Sequence, residues 1–157
     1  MSNKIRVAVI GLGAQGKQHI ESFGMGIIDN AHLVAVVDVV PEIAQSLAAD
    51  NGVLAYSDLD RFFKEAPEFA DAVIVSVPNK FHCDVVLQAL SAGLHVLVEK
   101  PFAISVAEVD RMIATAQTTE LTLMVSHNLL FYEPHRVVTE LITSGTIERP
   151  VEFRTRL

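Results

Sequence analysis

The sequence is poor in residue types that mark several classes of protein. Its 157 residues include no Trp, one Cys and only 6% aromatic residues. A single cysteine forms no intrachain disulfide and no thiolate metal site, so a reducing compartment fits and no metal is expected. Charged residues make up 20% of the chain, and the net charge of −7 comes without any cluster of Lys and Arg. Nucleic acid is bound by clustered basic side chains and is therefore not an expected partner.

Long apolar runs are also missing. The first run, Ile5–Ile10, contains Arg6 and ends at a glycine-rich turn, so it is too short and too interrupted for a signal peptide. No segment approaches the length of a membrane span, and we expect a cytoplasmic protein with no membrane partner. Hydrophobic residues make up 50% of the chain and are mostly Val, Ile, Leu and Ala, which indicates strands buried on both faces.

The residues from Gly11 to Gly16 form a Gly-x-Gly-x-x-Gly turn between the first apolar run and a helix-compatible segment that begins at Ala14. In a strand–turn–helix unit, Gly11 permits the turn, Gly13 lets the backbone approach a pyrophosphate, and Gly16 lets helix and strand pack closely. The free amides and the dipole at the start of the helix favour an anion. Glycine-rich turns are common in ordinary loops, so the interpretation depends on the surrounding fold.

Apolar runs alternate with helix-compatible segments six times. The predicted strands are residues 5–10, 32–38, 53–56, 71–77, 95–98 and 121–126. The predicted helices are residues 14–23, 42–50, 59–65, 79–92 with Asn79 as cap, 105–118 with Ser105 as cap, and 134–144. This alternation predicts an α/β fold with a doubly wound parallel sheet of the Rossmann type. In such a sheet the turn after the first strand binds a dinucleotide, which strengthens the pyrophosphate interpretation.

The second predicted strand ends in Asp38. Its separation from Gly16 is close to the roughly 20 residues expected for the carboxylate that binds the adenosine ribose. A carboxylate there repels a 2′-phosphate, so NAD is favoured as the cofactor, with NADP possible. The alternative is a strand-end acid that caps the next helix, which Pro41 opens.

Residues 151–157 alternate apolar and polar side chains, which is typical of a half-exposed strand in an antiparallel sheet. One such strand cannot bury its apolar face alone. We therefore predict a dinucleotide-binding Rossmann domain at residues 1–149, and at 150–157 the first strand of a truncated C-terminal domain. We also expect the chain to associate with itself through this exposed strand.

The fourth and fifth predicted strands end at the sheet edge that frames a ligand crevice. They bring polar and turn residues to that edge, namely Ser76, Val77, Pro78, Asn79 and nearby His82 from one strand, and Glu99, Lys100 and Pro101 from the other. A solvated Glu-Lys pair would be the ordinary interpretation of two isolated charges. Pro101, however, restricts the backbone of Lys100 and so fixes where the lysine points.

The sequence resembles the Gfo/Idh/MocA oxidoreductases along nearly its whole length. The resemblance rests on the glycine turn with His19, on Val77–His82, and on Ala92–Pro101 with its Glu-Lys-Pro segment. The family joins a nicotinamide-binding Rossmann domain to a C-terminal α/β domain with a large, mostly antiparallel sheet. It moves hydride between NAD(P) and a hydroxyl carbon, so the resemblance implies a sugar or cyclitol substrate.

The resemblance also implies roles for individual residues. The pyrophosphate would be held by the turn, at Gly11, Gly13, Ala14 and Gln15 together with the packing glycine Gly16, and the adenosine ribose by Asp38. The nicotinamide half would be lined by Ser76, Val77, Pro78, Asn79 and His82. Glu99 and Lys100 would approach the nicotinamide ribose. Lys100 would be catalytic, since its ammonium can stabilise a developing alkoxide or relay its proton.

The sequence departs from the family pattern after the sixth predicted strand. Many relatives carry Arg beside an aromatic residue where this chain has His127 and Asn128, so we expect these two to supply polar contacts, with Asn128 in the cofactor site. The family's catalytic Asp and His lie in the C-terminal domain, so the chain is expected to be incomplete as a catalyst. A non-catalytic NAD(P)-binding sensor or interaction module is the alternative. An S-adenosylmethionine-dependent methyltransferase is a third, although it leaves the Glu-Lys-Pro segment without a role.

Overall fold

The computed structural model describes residues 4–148 of the chain. Two compact units are present, Met1–Ser126 and His127–Leu157. The first unit contains a six-stranded sheet, and its strands are β1 (Ile5–Ile10), β2 (Ala31–Val37), β3 (Leu54–Tyr56), β4 (Ala72–Val75), β5 (His95–Val98) and β6 (Leu123–Val125). All neighbouring strands are parallel, in the order β3-β2-β1-β4-β5-β6. From β1 the next strands in sequence, β2 and β3, are added on one side, whereas β4, β5 and β6 are added on the other. The direction of strand addition thus changes between β1 and β4, and ligands of open α/β sheets bind at such a switch point.

Five helices of the first unit connect the strands. They are α1 (Ala14–Gly24), α2 (Pro41–Asn51), α3 (Leu59–Glu65), α4 (His82–Ser91) and α5 (Val106–Thr119). The prediction that Ser105 caps the fifth helix is confirmed, because its hydroxyl accepts a hydrogen bond from the Glu108 amide at 3.3 Å. The prediction that Asn79 caps the fourth helix is wrong. A short 3-10 helix occupies Asn79–Phe81, and its turn is closed by the Phe81 amide on the Pro78 carbonyl at 2.8 Å.

Separate apolar clusters cover the two faces of the sheet. Along β1, Val7 and Val9 join the cluster that includes α1 and α2, while Ala8 and Ile10 join the cluster that includes α3, α4 and α5. All four side chains are buried, as alternating residues of a strand covered on both faces must be. The predicted doubly wound parallel sheet is therefore confirmed.

An ion pair joins β1 to the segment before β4 at the amino ends of the strands. The Arg6 guanidinium donates to both carboxylate oxygens of Asp71, at 2.6 and 3.1 Å. The Arg6 amide also donates to Asp71, at 2.8 Å. The side-chain hydrogen bond from Arg6 holds the pKa of the Asp71 carboxyl below its ordinary value. The contact lies at the opposite edge of the sheet from the glycine turn.

The second unit contains a 3-10 helix, Asn128–Phe131, and α6 (Glu133–Thr143), which confirms the last predicted helix to within one residue. The predicted strand at 151–157 lies outside the described residues, and the domain boundary placed between residues 149 and 150 stays a prediction. Between residues 4 and 148, no helix has the length and apolar character needed to cross a bilayer.

Candidate functional site

The glycine turn between β1 and α1 leaves space for side chains at only one of its three glycines. Gly11 has a φ of +88°, and an added Cβ there would lie 2.7 Å from the Ser76 carbonyl carbon and the Val77 nitrogen. A Cβ at Gly16 would collide with the Gly11 carbonyl oxygen and approach the Ser76 hydroxyl. A Cβ at Gly13 would have no atom within 4 Å. Gly11 and Gly16 thus permit the fold of the turn, whereas Gly13 faces open space.

The start of α1 offers backbone amides to solvent. Gly13 is the N-cap residue, and Ala14 and Gln15 follow it on the exposed surface. In the described part of the chain, no side chain caps this helix, and its first turn carries no acidic residue. Backbone amides at a helix start and the positive end of the helix dipole favour an anion at such a position.

The Asp38 carboxylate follows β2 and contacts two backbone amides. One oxygen accepts from Leu12 at 2.8 Å, inside the glycine turn, and the other accepts from Val40 at 2.9 Å. Val40 is the N-cap residue of α2, and among the described residues no side chain caps that helix, so the alternative that Asp38 serves as its cap is wrong. The bond to Leu12, which lies 26 residues away, shows that Asp38 also belongs to the glycine turn.

A cavity of about 400 Å³ lies where β1, β2 and β4 end, beside α4. Four predicted site residues line it, namely Gly11, Asp38, Val77 and Pro78. Ser57 also lines it and was not predicted. Ser57 follows β3 directly, so its place at the carboxyl end of a parallel strand was the available signal. Most other lining side chains are apolar, which suits a flat aromatic ring.

Ser76 supports the turn from the end of β4. Its hydroxyl lies 2.6 Å from the Gly11 carbonyl oxygen, to which it donates a hydrogen bond. The neighbouring Asn79 is exposed, in the 3-10 helix that precedes α4. The predicted contacts of Ser76 and Asn79 with the nicotinamide half stay predictions.

Glu99 lies buried at the end of β5, with its carboxylate fully engaged. One oxygen contacts His19 Nε2 on α1 at 2.9 Å, and the other accepts from the Lys100 amide at 3.1 Å. Burial raises the pKa of the Glu99 carboxyl, but hydrogen bonds from His19, Ser126 and the Lys100 amide outweigh burial, so the pKa lies below its ordinary value. The carboxylate is therefore ionised at neutral pH.

The two remaining predicted residues of this edge differ in exposure. Lys100 is exposed, whereas the His82 ring is buried. The ring nitrogens of His82 lie 2.9 Å from the Pro101 and Val77 carbonyl oxygens, so its polar atoms are bonded to backbone. Asn128 belongs to the second unit, and its cofactor role stays a prediction.

Comparison with known proteins supports the geometry. The model of the Gfo/Idh/MocA family, described as an oxidoreductase family with an NAD-binding Rossmann fold, matches residues 5–127. The chain is 33% identical over 151 residues to the myo-inositol 2-dehydrogenase of Thermotoga maritima, covering 96% of this chain and 44% of that protein. It is 32% identical over 143 residues to the 4-carboxy-2-hydroxymuconate-6-semialdehyde dehydrogenase of a Sphingobium species, covering 91% and 44%.

A solved structure of a dehydrogenase also matches the fold of this chain. The scyllo-inositol dehydrogenase of Lactobacillus casei, crystallised with NAD(H) and scyllo-inositol, superposes with a TM-score of 0.85 at 27% identity. The match covers 92% of this chain and 42% of that one. The chain thus spans less than half the length of the relatives it matches.

Proposed function

Because this chain belongs to the Gfo/Idh/MocA oxidoreductase family, we propose that it binds NAD across the glycine turn and the ends of β1, β2, β4 and β5. It serves in hydride transfer between the cofactor and a hydroxyl carbon of a sugar or cyclitol. The observation that carries the proposal is the Asp38 carboxylate, which contacts the glycine turn and lines the adjoining cavity. The hydrogen bond from Leu12 to Asp38 links the proposed ribose carboxylate to the proposed pyrophosphate-binding turn.

The pyrophosphate is assigned to the amides at the start of α1. The open space at Gly13 supports this assignment, because a phosphate can approach the backbone where a side chain is absent. The ribose hydroxyls are assigned to Asp38. Each of its oxygens accepts one backbone N–H and keeps acceptor capacity for a hydroxyl.

The adenine is assigned to the cavity beside α4, and this assignment moves Val77 and Pro78, which line the cavity, from the nicotinamide half to the adenine half of the cofactor. The cavity volume of about 400 Å³ and its apolar lining fit a flat ring. The negative charge of Asp38 would oppose a 2′-phosphate, so NAD is preferred over NADP. For Asn128 we keep the role that the sequence predicts, a polar contact in the cofactor site.

The chemical role is assigned to Lys100. NAD, when bound, accepts the hydride, and NADH returns it. The exposed ammonium of Lys100 at the end of β5 would donate a hydrogen bond to the reacting hydroxyl oxygen and stabilise negative charge that develops there. The relatives' names include an inositol dehydrogenase and a carboxymuconate semialdehyde dehydrogenase, so the substrate is assigned only by class.

Isothermal titration calorimetry with NADH and NADPH tests the proposal. We expect NADH to bind the 157-residue chain more tightly than NADPH. A folded chain with affinity for neither cofactor would overturn the proposed function, and tighter binding of NADPH would overturn the role given to Asp38.

We further propose that these 157 residues alone bind the cofactor without catalysing turnover, since they span 44% of their relatives' length and the resemblance places the relatives' Asp and His in the remainder. NADH formation with a panel of polyols checks this. Measurable turnover would exclude both this proposal and the non-catalytic sensor.

Self-association is proposed from the sequence pattern of residues 151–157 alone. Multi-angle light scattering should give a mass above that of one chain, and a monomer across the concentration range would contradict it.

A further inference from the structure

Two polar side chains stand out because they are buried. Among residues 4–148, only His82, 1% exposed, and Glu99, 7% exposed, are polar or charged and buried. They come from different elements, since His82 opens α4 and Glu99 follows β5. Burying a polar group is unfavourable unless it is hydrogen-bonded, so the contacts of these two side chains indicate why they are there.

Both side chains contact the backbone next to Lys100. The Glu99 carboxylate accepts from the Lys100 amide at 3.1 Å. On the other side, His82 Nδ1 lies 2.9 Å from the carbonyl oxygen of Pro101. The backbone of Lys100 is thus held on its amino side by a carboxylate and on its carboxyl side by an imidazole.

Each of the two side chains also reaches a second element of the proposed cofactor site. The other oxygen of Glu99 lies 2.9 Å from His19 Nε2, on the helix whose amides face the pyrophosphate position. The other nitrogen of His82 lies 2.9 Å from the carbonyl oxygen of Val77, which lines the cavity. The segment that carries Lys100 is therefore tied to α1 and to the segment that follows β4.

The chemistry of His82 makes its contacts specific. A neutral imidazole has one N–H and donates to one of the two carbonyl oxygens, while a doubly protonated ring donates to both. No apolar side chain of similar shape supplies either bond. Replacing the ring with phenyl would remove every hydrogen bond that the imidazole donates to these carbonyl oxygens.

We propose that His82 and Glu99 are positioning residues for Lys100, which fix its backbone so that its ammonium meets the nicotinamide half of the cofactor. The proposal rests on the proposed function. A lysine side chain has many rotamers, so anchoring its backbone on both sides limits the positions of Nζ. Small displacements of a catalytic group strongly reduce its effect.

The first experiment compares NADH with ADP, which lacks both the nicotinamide and the ribose that carries it. ADP therefore reports the turn, Asp38 and the adenine cavity, without the part of the cofactor that Lys100 approaches. We expect His82→Phe to weaken NADH binding about tenfold, the loss typical of one hydrogen bond, and to change ADP binding by less than about twofold. His32→Phe, at an exposed position in β2, is the matched control and should change neither affinity.

The second experiment is a double-mutant cycle with Lys100→Ala. If His82 acts through Lys100, then His82→Phe adds little further loss of NADH affinity once Lys100 is Ala. Lys64→Ala, an exposed lysine of α3, is the control for Lys100→Ala. Additive losses would show a role independent of Lys100 and would overturn the proposal.

Variants of Glu99 test the other side of the segment. Glu99→Gln keeps an acceptor for the Lys100 amide and should retain most NADH affinity. Glu99→Leu removes the acceptor and should behave like His82→Phe. If His82→Phe does not fold, the same cycle uses Glu99→Leu and His19→Phe.

The outcomes separate the two proposals. An unchanged chain that binds neither NADH nor ADP overturns the proposed function. Normal NADH binding by the unchanged chain, with no effect of Lys100→Ala, His82→Phe or Glu99→Leu, overturns only the positioning role.

Discussion

The carboxylate of Asp38 and the backbone amide of Leu12 are joined by a hydrogen bond of 2.8 Å. The contact links the end of β2 to the glycine turn that follows β1. A charged acceptor is bonded to a backbone donor here, and such bonds are stronger than neutral ones. The same carboxylate is thus both part of the turn and the proposed ribose ligand.

Replacing Asp38 should change cofactor preference. We expect Asp38→Ala to weaken NADH binding about tenfold to a hundredfold, because a charged hydrogen-bond acceptor is lost, and to affect NADPH less. Calorimetric titrations with both cofactors measure the ratio. Asp60→Asn, at an exposed position of α3, is the control and should leave the ratio unchanged. An unchanged ratio in Asp38→Ala would contradict the ribose assignment.

Gly13 and Gly16 should respond oppositely to the same substitution. Gly13→Ala has free space and a φ of −70°, so its unfolding free energy should stay within about 1 kcal/mol of the unchanged chain while NADH binding is lost. Gly16→Ala collides with the Gly11 carbonyl and should lower the unfolding free energy by about 2–3 kcal/mol. Urea unfolding and NADH titration measure both effects. Normal NADH affinity in Gly13→Ala would contradict the assignment of the pyrophosphate to this position.

The Arg6–Asp71 contact should make stability depend on acidic pH. The pKa of Asp71 is lowered in the folded chain, so its contribution is complete above the unfolded value of about 3.9 and is lost as pH falls through the folded value. Asp71→Asn should therefore be destabilising near neutral pH, with the difference closing toward about pH 3. Urea midpoints at several pH values measure this, with Asp110→Asn on α5 as the control. A constant difference would argue against the ion pair as its source.

Tyr56 should ionise only at strongly alkaline pH. Burial and the hydrogen bond from its hydroxyl to Glu65, 2.8 Å long, raise its pKa to about 12. The folded pKa lies above the unfolded value of about 10, so this stabilisation is complete below that value and is lost as pH rises. The chain has two tyrosines, so absorbance titration of a Tyr132→Phe variant follows Tyr56 alone. A transition near pH 10 in the folded chain would contradict this environment.

The class of fold could be predicted because two of its signs are local patterns in the sequence. They are the largely apolar run of β1 and the six alternations of apolar runs with helix-compatible segments. Sequence reasoning also found the glycine turn and Asp38, whose separation along the chain is set by one strand–helix–strand unit. The partnership of His19 with Glu99, 80 residues apart, depends on how α1 packs beside β5 and leaves no local pattern. The Asn79 cap was predicted wrongly because a 3-10 turn closed on Pro78 competes with capping at that position.

The position of β1 inside the sheet determines when the glycine turn can form during synthesis of the chain. β1 pairs with β2 on one side and with β4 on the other. The glycine turn also packs against Ser76, which follows β4. Chain emerging from the ribosome therefore cannot complete the turn until Ser76, 65 positions after Gly11, has been made. The turn after the first strand of the sheet is thus finished only once the fourth strand exists.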